Sequence, residues 1–255
     1  RIVDGNHLPA TEKRLKALRG LRGAALPGHT LVVYDPQLGL AVDIVPCEDA
    51  HAQERSLTEA LLAIAAPGQL WVADRNFSTT RLFEGFAVHG AVFIVRKHGR
   101  SPTVVEHGQP RRAGRTATGT VDEQRVTITR SDGGTLSLRQ VRVHLAAPTQ
   151  DGDTMLVLLT SVPASRMTAR AIAEQYRGRW TIEGMFGELE AALAGELRTL
   201  GQPKAALFAF GLAVLAFNML QVVRRAVEAA HTVEGEIPAV SSYHVAVEIR
   251  ATYQG

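Results

Sequence analysis

Cysteine is almost missing from this sequence: Cys47 is the single one among 255 residues. A lone thiol excludes a disulfide framework and suits a reducing cytoplasm. The nine histidines are scattered, and no Cys/His spacing of a zinc site occurs. There is no Gly-rich phosphate loop and no Gly-x-Ser-x-Gly elbow, which removes two common enzymatic chemistries. The chain opens on "RIVDGNHL", without an initiator Met and without a basic-then-apolar leader. A fragment with no secretory signal is the expectation. Neither sign of charge dominates, the formal net charge being +3.

Apolar residues make up 45% of the sequence, enough for one large core or a core with an insertion. Helical and strand-like patterns alternate, which predicts an α/β fold. Residues 1–98 read as strand, hairpin (29–48), helix (50–65), strand (68–77), helix (79–90) and strand (91–98). That order implies a mixed sheet with helices packed on it. Residues 99–164 carry no helical signal, only three strand-like runs separated by Asp132-Gly133-Gly134 and Gln150-Asp151-Gly152-Asp153, and predict an inserted antiparallel β-element. Helix resumes after Thr168, a candidate N-cap, and fills 165–231. The tail, 232–255, predicts irregular chain with a short strand. "AALFAFGLAVLAFNMLQVV" (205–223) has the length of a membrane span, but Asn218, Gln221 and the following Arg224 and Arg225 favour a buried core helix and no membrane.

Charge is unevenly placed. Between Arg96 and Arg130 there are eight Lys/Arg against three Asp/Glu, and "EKRLKALRGLR" (12–22) is a second basic cluster. Such patches attract polyanions, nucleic acid above all, although solvated surface accounts for either one equally well. Carboxylates offer the chemistry. Asp4 and Asp74 each follow a short apolar strand, "RIV" and "LWVA", and sites in open α/β sheets lie at the carboxyl ends of strands. In "EQYRGRWTIEGMFGELEAAL" (174–193), Tyr176, Arg179, Glu183 and Glu190 border an apolar stripe of Ile182, Phe186, Leu189 and Leu193. Three acids together need a cation, and oxygen-only ligands suit Mg²⁺ or Mn²⁺. The plainer alternative stays open, since a lone Asp at a strand end is commonly a turn or capping residue.

The segment "YRGRWTIEGMFGELEAAL" resembles the Tyr-x2-Arg-x3-Glu-x6-Lys signature of bacterial insertion-sequence transposases of the insertion-sequence-four type. "IVDGNHL" resembles that family's first-Asp region, and "WVADRNF" with "GAVFIVRKH" its second. "LLTSVPASRMTARAIAEQYRGRW" resembles the approach to its Glu helix, so the likeness covers nearly the whole chain in order. The resemblance implies a ribonuclease-H-like mixed sheet with flanking helices and a β-rich insertion between the second Asp and the Glu. It implies Asp4, Asp74 and Glu183 as metal-binding catalytic triad, two Mg²⁺ (or Mn²⁺) ions, and Tyr176 and Arg179 as phosphate contacts. Arg75, Arg96, Lys97, Arg100, Arg111, Arg112 and Arg115 complete the expected surface for double-stranded DNA. A homodimer in the active complex and a bacterial cytoplasmic, nucleoid-associated location follow from the same likeness. Two departures stand out. Glu190 occupies the family's Lys position, and no Phe, Tyr or Trp lies between Lys97 and Tyr176 to stack a flipped base. A nuclease without strand transfer and an inactive DNA-binding protein remain the competing readings.

Overall fold

Three apolar runs too short to be helices line up as parallel strands. In chain order the strands are β1 (Ile2–His7), β2 (His29–Asp35), β3 (Leu40–Cys47), β4 (Leu70–Ala73), β5 (Val92–Arg96), β6 (Val104–Thr116), β7 (Gly119–Thr129), β8 (Thr135–Leu145) and β9 (Met155–Thr160). The helices are α1 (Thr58–Ala63), α2 (Thr80–Val88), α3 (Ala169–Arg177), α4 (Thr181–Leu193), α5 (Pro203–Ala230) and α6 (Ser242–Tyr253). This computed structural model describes residues 1–7, 29–47, 52–193, 203–231 and 240–253. The basic cluster at 12–22 lies outside the described residues. The chain divides into two units, Arg1–Asp4 with Gln53–Trp180 and Gly5–Ala52 with Thr181–Gly255.

The first unit is built on a mixed sheet that is mostly antiparallel. β1 and β4 are parallel, with Ile2 opposite Val72 and Val3 opposite Ala73. β4 and β5 are parallel in turn, Leu70 facing Val92. The sheet then reverses and continues through β9, β8, β7 and β6, each antiparallel to the last. Trp71, Val72, Phe93, Ile94 and Val95 are all buried, which is why these strands read as unbroken apolar runs rather than alternating ones. α2 packs on β5 and brings Phe83 and Phe86 onto Trp71 and Phe93. The Phe83 and Phe93 rings stack at 4.3 Å, and Trp71 and Phe86 at 5.5 Å. Thr79 caps α2 by accepting from the Leu82 amide at 3.3 Å. A side chain at Gly85 has no room: its Cβ would stand 2.2 Å from Leu62 Cδ1.

Arg139 ties the antiparallel strands to the segment that leads into α3. Its Nε donates to Glu123 Oε1 at 2.5 Å, and its Nη1 donates to the carbonyls of Val162 and Met167 at 2.8 and 2.9 Å. Thr168 then caps α3, accepting from Ala171 N at 3.2 Å, as the sequence predicts.

In the second unit β2 and β3 form the expected hairpin around a Pro36–Gly39 turn. Gly39 has φ +63°, and Asp35 Oδ1 accepts from the Gln37 and Leu38 amides. α5 packs on β3, α4 and α6. Asn218 explains the polar interruption of this apolar helix. Its side chain accepts from Ala41 N at 2.9 Å and donates to Ala41 O at 2.7 Å, satisfying both backbone groups of a strand residue. Gln221 Nε2 donates to Glu188 Oε2 at 3.0 Å.

Four expectations are corrected. Residues 174–193 are not one helix: α3 ends at Arg177, Gly178–Trp180 form a 3-10 turn, and α4 starts at Thr181. Glycine at 178 carries the highest helix cost short of proline. The long exposed strand β6 was invisible to periodicity, because Gly108, Pro110 and four charged residues replace apolar alternation. The tail holds a helix, α6, where a short strand was expected; Ala, Val and Ile spaced through "SYHVAVEIRATY" suit either state. α5 is buried on one face only, with Phe208, Leu212, Leu215, Met219 and Val222 exposed on the other. By length and composition it is also long and apolar enough to cross a membrane.

Candidate active site

Strand register places the first two acids together. Val3 and Ala73 are partners on adjacent parallel strands, and the next residue on each is Asp4 and Asp74. Parallel neighbours lie about 4.8 Å apart and paired positions share a face, so both carboxylates leave the sheet at one level. β4 ends before Asp74, whereas β1 runs on through His7, so Asp4 sits inside its strand rather than at its end. Asp74 keeps one oxygen occupied locally: Oδ1 accepts from Asn76 N at 2.8 Å and caps the Arg75–Phe77 turn.

Asp4 is held by Arg179. The guanidinium Nη1 donates to Asp4 Oδ2 at 2.5 Å, the two side chains being 10% and 16% exposed. This pair bridges 175 positions of sequence and is shielded from solvent, so its attraction is weakly screened. The same guanidinium lies 5.1 Å from the Trp180 ring centroid, a cation–π contact. Tyr176 is buried beside it. Burial pushes the Tyr176 hydroxyl up to about 12, with the Arg179 and Arg96 charges working the other way, so the side chain is a neutral phenol at neutral pH.

A third acid in the first unit was missed. Glu54 opens the Glu54–Leu57 turn before α1 and lies close enough to Asp74 and Asp4 to feel both charges. Burial, then Asp74 and Asp4, pushes its carboxyl up to about 7, while the Asn76 side chain and Arg179 pull it down. Its Oε2 is buried with no hydrogen-bond partner. "AHAQERSL" gave no hint, since it has neither a strand end nor a spacing relation to the other acids.

Glu183 stands in the first turn of α4, exposed, in the second unit. The first unit therefore gathers Asp4, Asp74, Tyr176 and Arg179, with Glu54 added, and Glu183 follows Arg179 by four residues along the chain. Among the described residues no three His, Cys, Asp or Glu side chains are already arranged to hold a metal ion. The donor chemistry nevertheless suits a hard cation: two carboxylates leave adjacent strands at one level, and the positive partner now supplied to Asp4 is an arginine. The side chain of Glu190 lies outside the described residues.

The basic residues sort into paired and unpaired sets. Arg96 Nη2 lies 2.5 Å from Asp153 Oδ2, Arg112 Nη1 3.5 Å from Asp122, and Arg75 3.9 Å from Asp151. Lys97 Nζ donates to the His98 carbonyl at 3.1 Å. Arg100, Arg111 and Arg115 are exposed and have no acidic partner among the described residues, and Arg125, across from His107 on β7, joins them. Arg111 and Arg115 both lie on β6, the edge strand of the sheet.

No curated protein matches the chain at a significant level. A family model described as the transposase DDE domain does match, over residues 1–219, which spans both acids of the sheet, Glu183 and most of α5. The chain thus belongs to the transposase DDE domain family and is the catalytic domain of an enzyme that acts on DNA.

Proposed function

We propose that this domain hydrolyses a DNA phosphodiester at the end of a mobile element and then joins the freed 3′-hydroxyl to target DNA. The observation that supports this best is the register of β1 and β4, which sets Asp4 beside Asp74 although 70 positions separate them. In this reading Asp4, Asp74 and Glu183 hold two Mg²⁺ or Mn²⁺ ions. When bound, the metal supplies Lewis-acid activation of the attacking oxygen and stabilises the leaving one. The protein's own residues prepare the site. Arg179 balances and orients Asp4, and Tyr176 presents an uncharged phenol next to it. The sheet keeps the backbone rigid at the point where the two acids emerge.

The finer family assignment, the insertion-sequence-four type, rests on Tyr176-x2-Arg179-x3-Glu183. It carries with it a ribonuclease-H-like core, in which β6 to β9 are the insertion between second Asp and Glu. Arg100, Arg111, Arg115 and Arg125 are the free cations of that β-rich region and suit the phosphate backbone of a duplex by counterion release. Arg75, Arg96 and Arg112 are tied to acids and contribute less net charge. Two copies would pair two element ends, in a bacterial cytoplasm.

The test is end-labelled DNA carrying the ends of the element, incubated with Mg²⁺. Cleavage leaving a 3′-hydroxyl, and joining of precut ends to a plasmid, are expected. Cleavage without joining selects the nuclease reading, and neither reaction with intact DNA binding selects the repurposed one.

A further inference from the structure

We infer that Glu54 is a further carboxylate ligand of the divalent-metal site, reaching it from the turn that precedes α1. The inference deepens the reading given above and rests on its metal site. Glu54 opens the Glu54–Leu57 turn, in the same unit as Asp4 and Asp74. That turn packs on the Arg75–Phe77 turn, whose N-cap is Asp74. Asn76 joins the two: its amide donates to Asp74 Oδ1 at 2.8 Å, and its side chain meets the Glu54 carboxyl. A third element of the fold thus brings an acid to the place where β1 and β4 deliver theirs.

An acid in the first turn of a helix ordinarily stands in water, where it complements the positive N-terminal end. Glu59, in the first turn of α1, does so: it is exposed and bonded to Arg81 at 2.7 Å. Glu54 does not. Its Oε2 is sealed from solvent and accepts no hydrogen bond from any described residue. Leaving a buried carboxylate oxygen without donor or counter-charge is costly, and a bound ion removes that cost. The local charge balance selects the ion. Ionised, Glu54, Asp4 and Asp74 bring three negative charges, and the Arg179 guanidinium on Asp4 returns one. The excess of two is the charge of one divalent ion, and an oxygen-only donor set suits Mg²⁺ or Mn²⁺.

Mn²⁺ titration of the whole chain without DNA, read from the free-ion electron paramagnetic resonance signal, tests it. Glu54→Gln keeps the size of the side chain and removes its charge. It should weaken Mn²⁺ binding about tenfold or more with an unchanged circular dichroism spectrum. Glu54→Asp keeps the charge and shortens the reach by one methylene. It should weaken binding about threefold or more, whereas a carboxylate acting only through its field would tolerate the change. Glu59→Gln, an equal loss of charge on an exposed side chain, should bind as wild type does, and a loss as large as that of Glu54→Gln would overturn the inference. Should Glu54→Gln fail to fold, Glu54→Asp decides. Asp74→Asn separates this inference from the reading beneath it. If Asp74→Asn binds Mn²⁺ as tightly as wild type, the metal site itself falls and Glu54 with it. If Asp74→Asn loses binding while a folded Glu54→Gln or Glu54→Asp keeps wild-type affinity, Glu54 is no ligand and the metal site stands.

Discussion

Two regions of the same sheet teach opposite lessons. Where β1 and β4 meet, two acids emerge side by side, and Asp4 is tied to a buried arginine. At the far edge β6 is a long, exposed strand whose Arg111 and Arg115 have no acidic partner among the described residues. The first region depends on register: shifting one strand by a residue turns its acid to the other face. The second depends only on net charge along an edge, and its Pro110 and bulges blunt pairing with another strand. One is built for position and the other for attraction. Changes in the first should therefore be all-or-none, and changes in the second graded and salt-dependent.

The largest expected effect is Asp74→Asn, which keeps the volume and removes the charge. Strand cleavage should fall by about a thousandfold or more, as for loss of a charge-stabilising group in a catalytic site, with DNA affinity nearly unchanged. Retained cleavage removes Asp74 from the chemistry. Next comes Arg111→Ala/Arg115→Ala. Affinity for duplex DNA should drop about tenfold at moderate salt, and the slope of log affinity against log salt should shrink by about two, one for each lost phosphate contact. A loss confined to cleavage would erase the contrast between the regions.

The smallest effect sharpens the acidic side. Glu54 has a folded pKa of about 7, above its ordinary value of 4.5, so the fold binds its proton more tightly than the unfolded chain does. Its stabilising contribution is complete below about pH 4.5 and is lost as pH rises through about 7. With metal chelated, Glu54→Gln should flatten that part of the stability–pH curve. The gain at pH 8 should be about 1 kcal/mol after solvent screening, read from chemical denaturation. A variant less stable than wild type at pH 8 would show that burial and the neighbouring Asp74 and Asp4 do not penalise the Glu54 carboxylate.

The acidic region was the legible one. "RIV-D" and "LWVA-D" are short apolar runs ending in an acid, and a buried parallel strand writes itself as such a run. The hairpin, the helix cap at Thr168, and three of the four antiparallel strands were legible for similar local reasons. β6 was not, because an exposed edge strand need not alternate, and its arginines read as loop. Glu54 was illegible for a different reason: its raised pKa comes from burial and then from two acids distant in sequence, neither of which is written in the local pattern. In the run from Tyr176 to Glu183, Gly178 marks where the helix could break but does not require that it does. A glycine inside an amphipathic pattern permits either outcome, and here a 3-10 turn separates α3 from α4.

The proposed chemistry requires divalent metal that Asp4, Asp74 and Glu183 would hold. Titration of Mn²⁺ followed by electron paramagnetic resonance tests that directly on the intact chain. Wild type should remove Mn²⁺ from the free-ion signal at a saturable site, and Asp4→Asn, Asp74→Asn and Glu183→Gln should each weaken it at least tenfold. Binding that is equally tight in wild type and in all three variants would contradict the account.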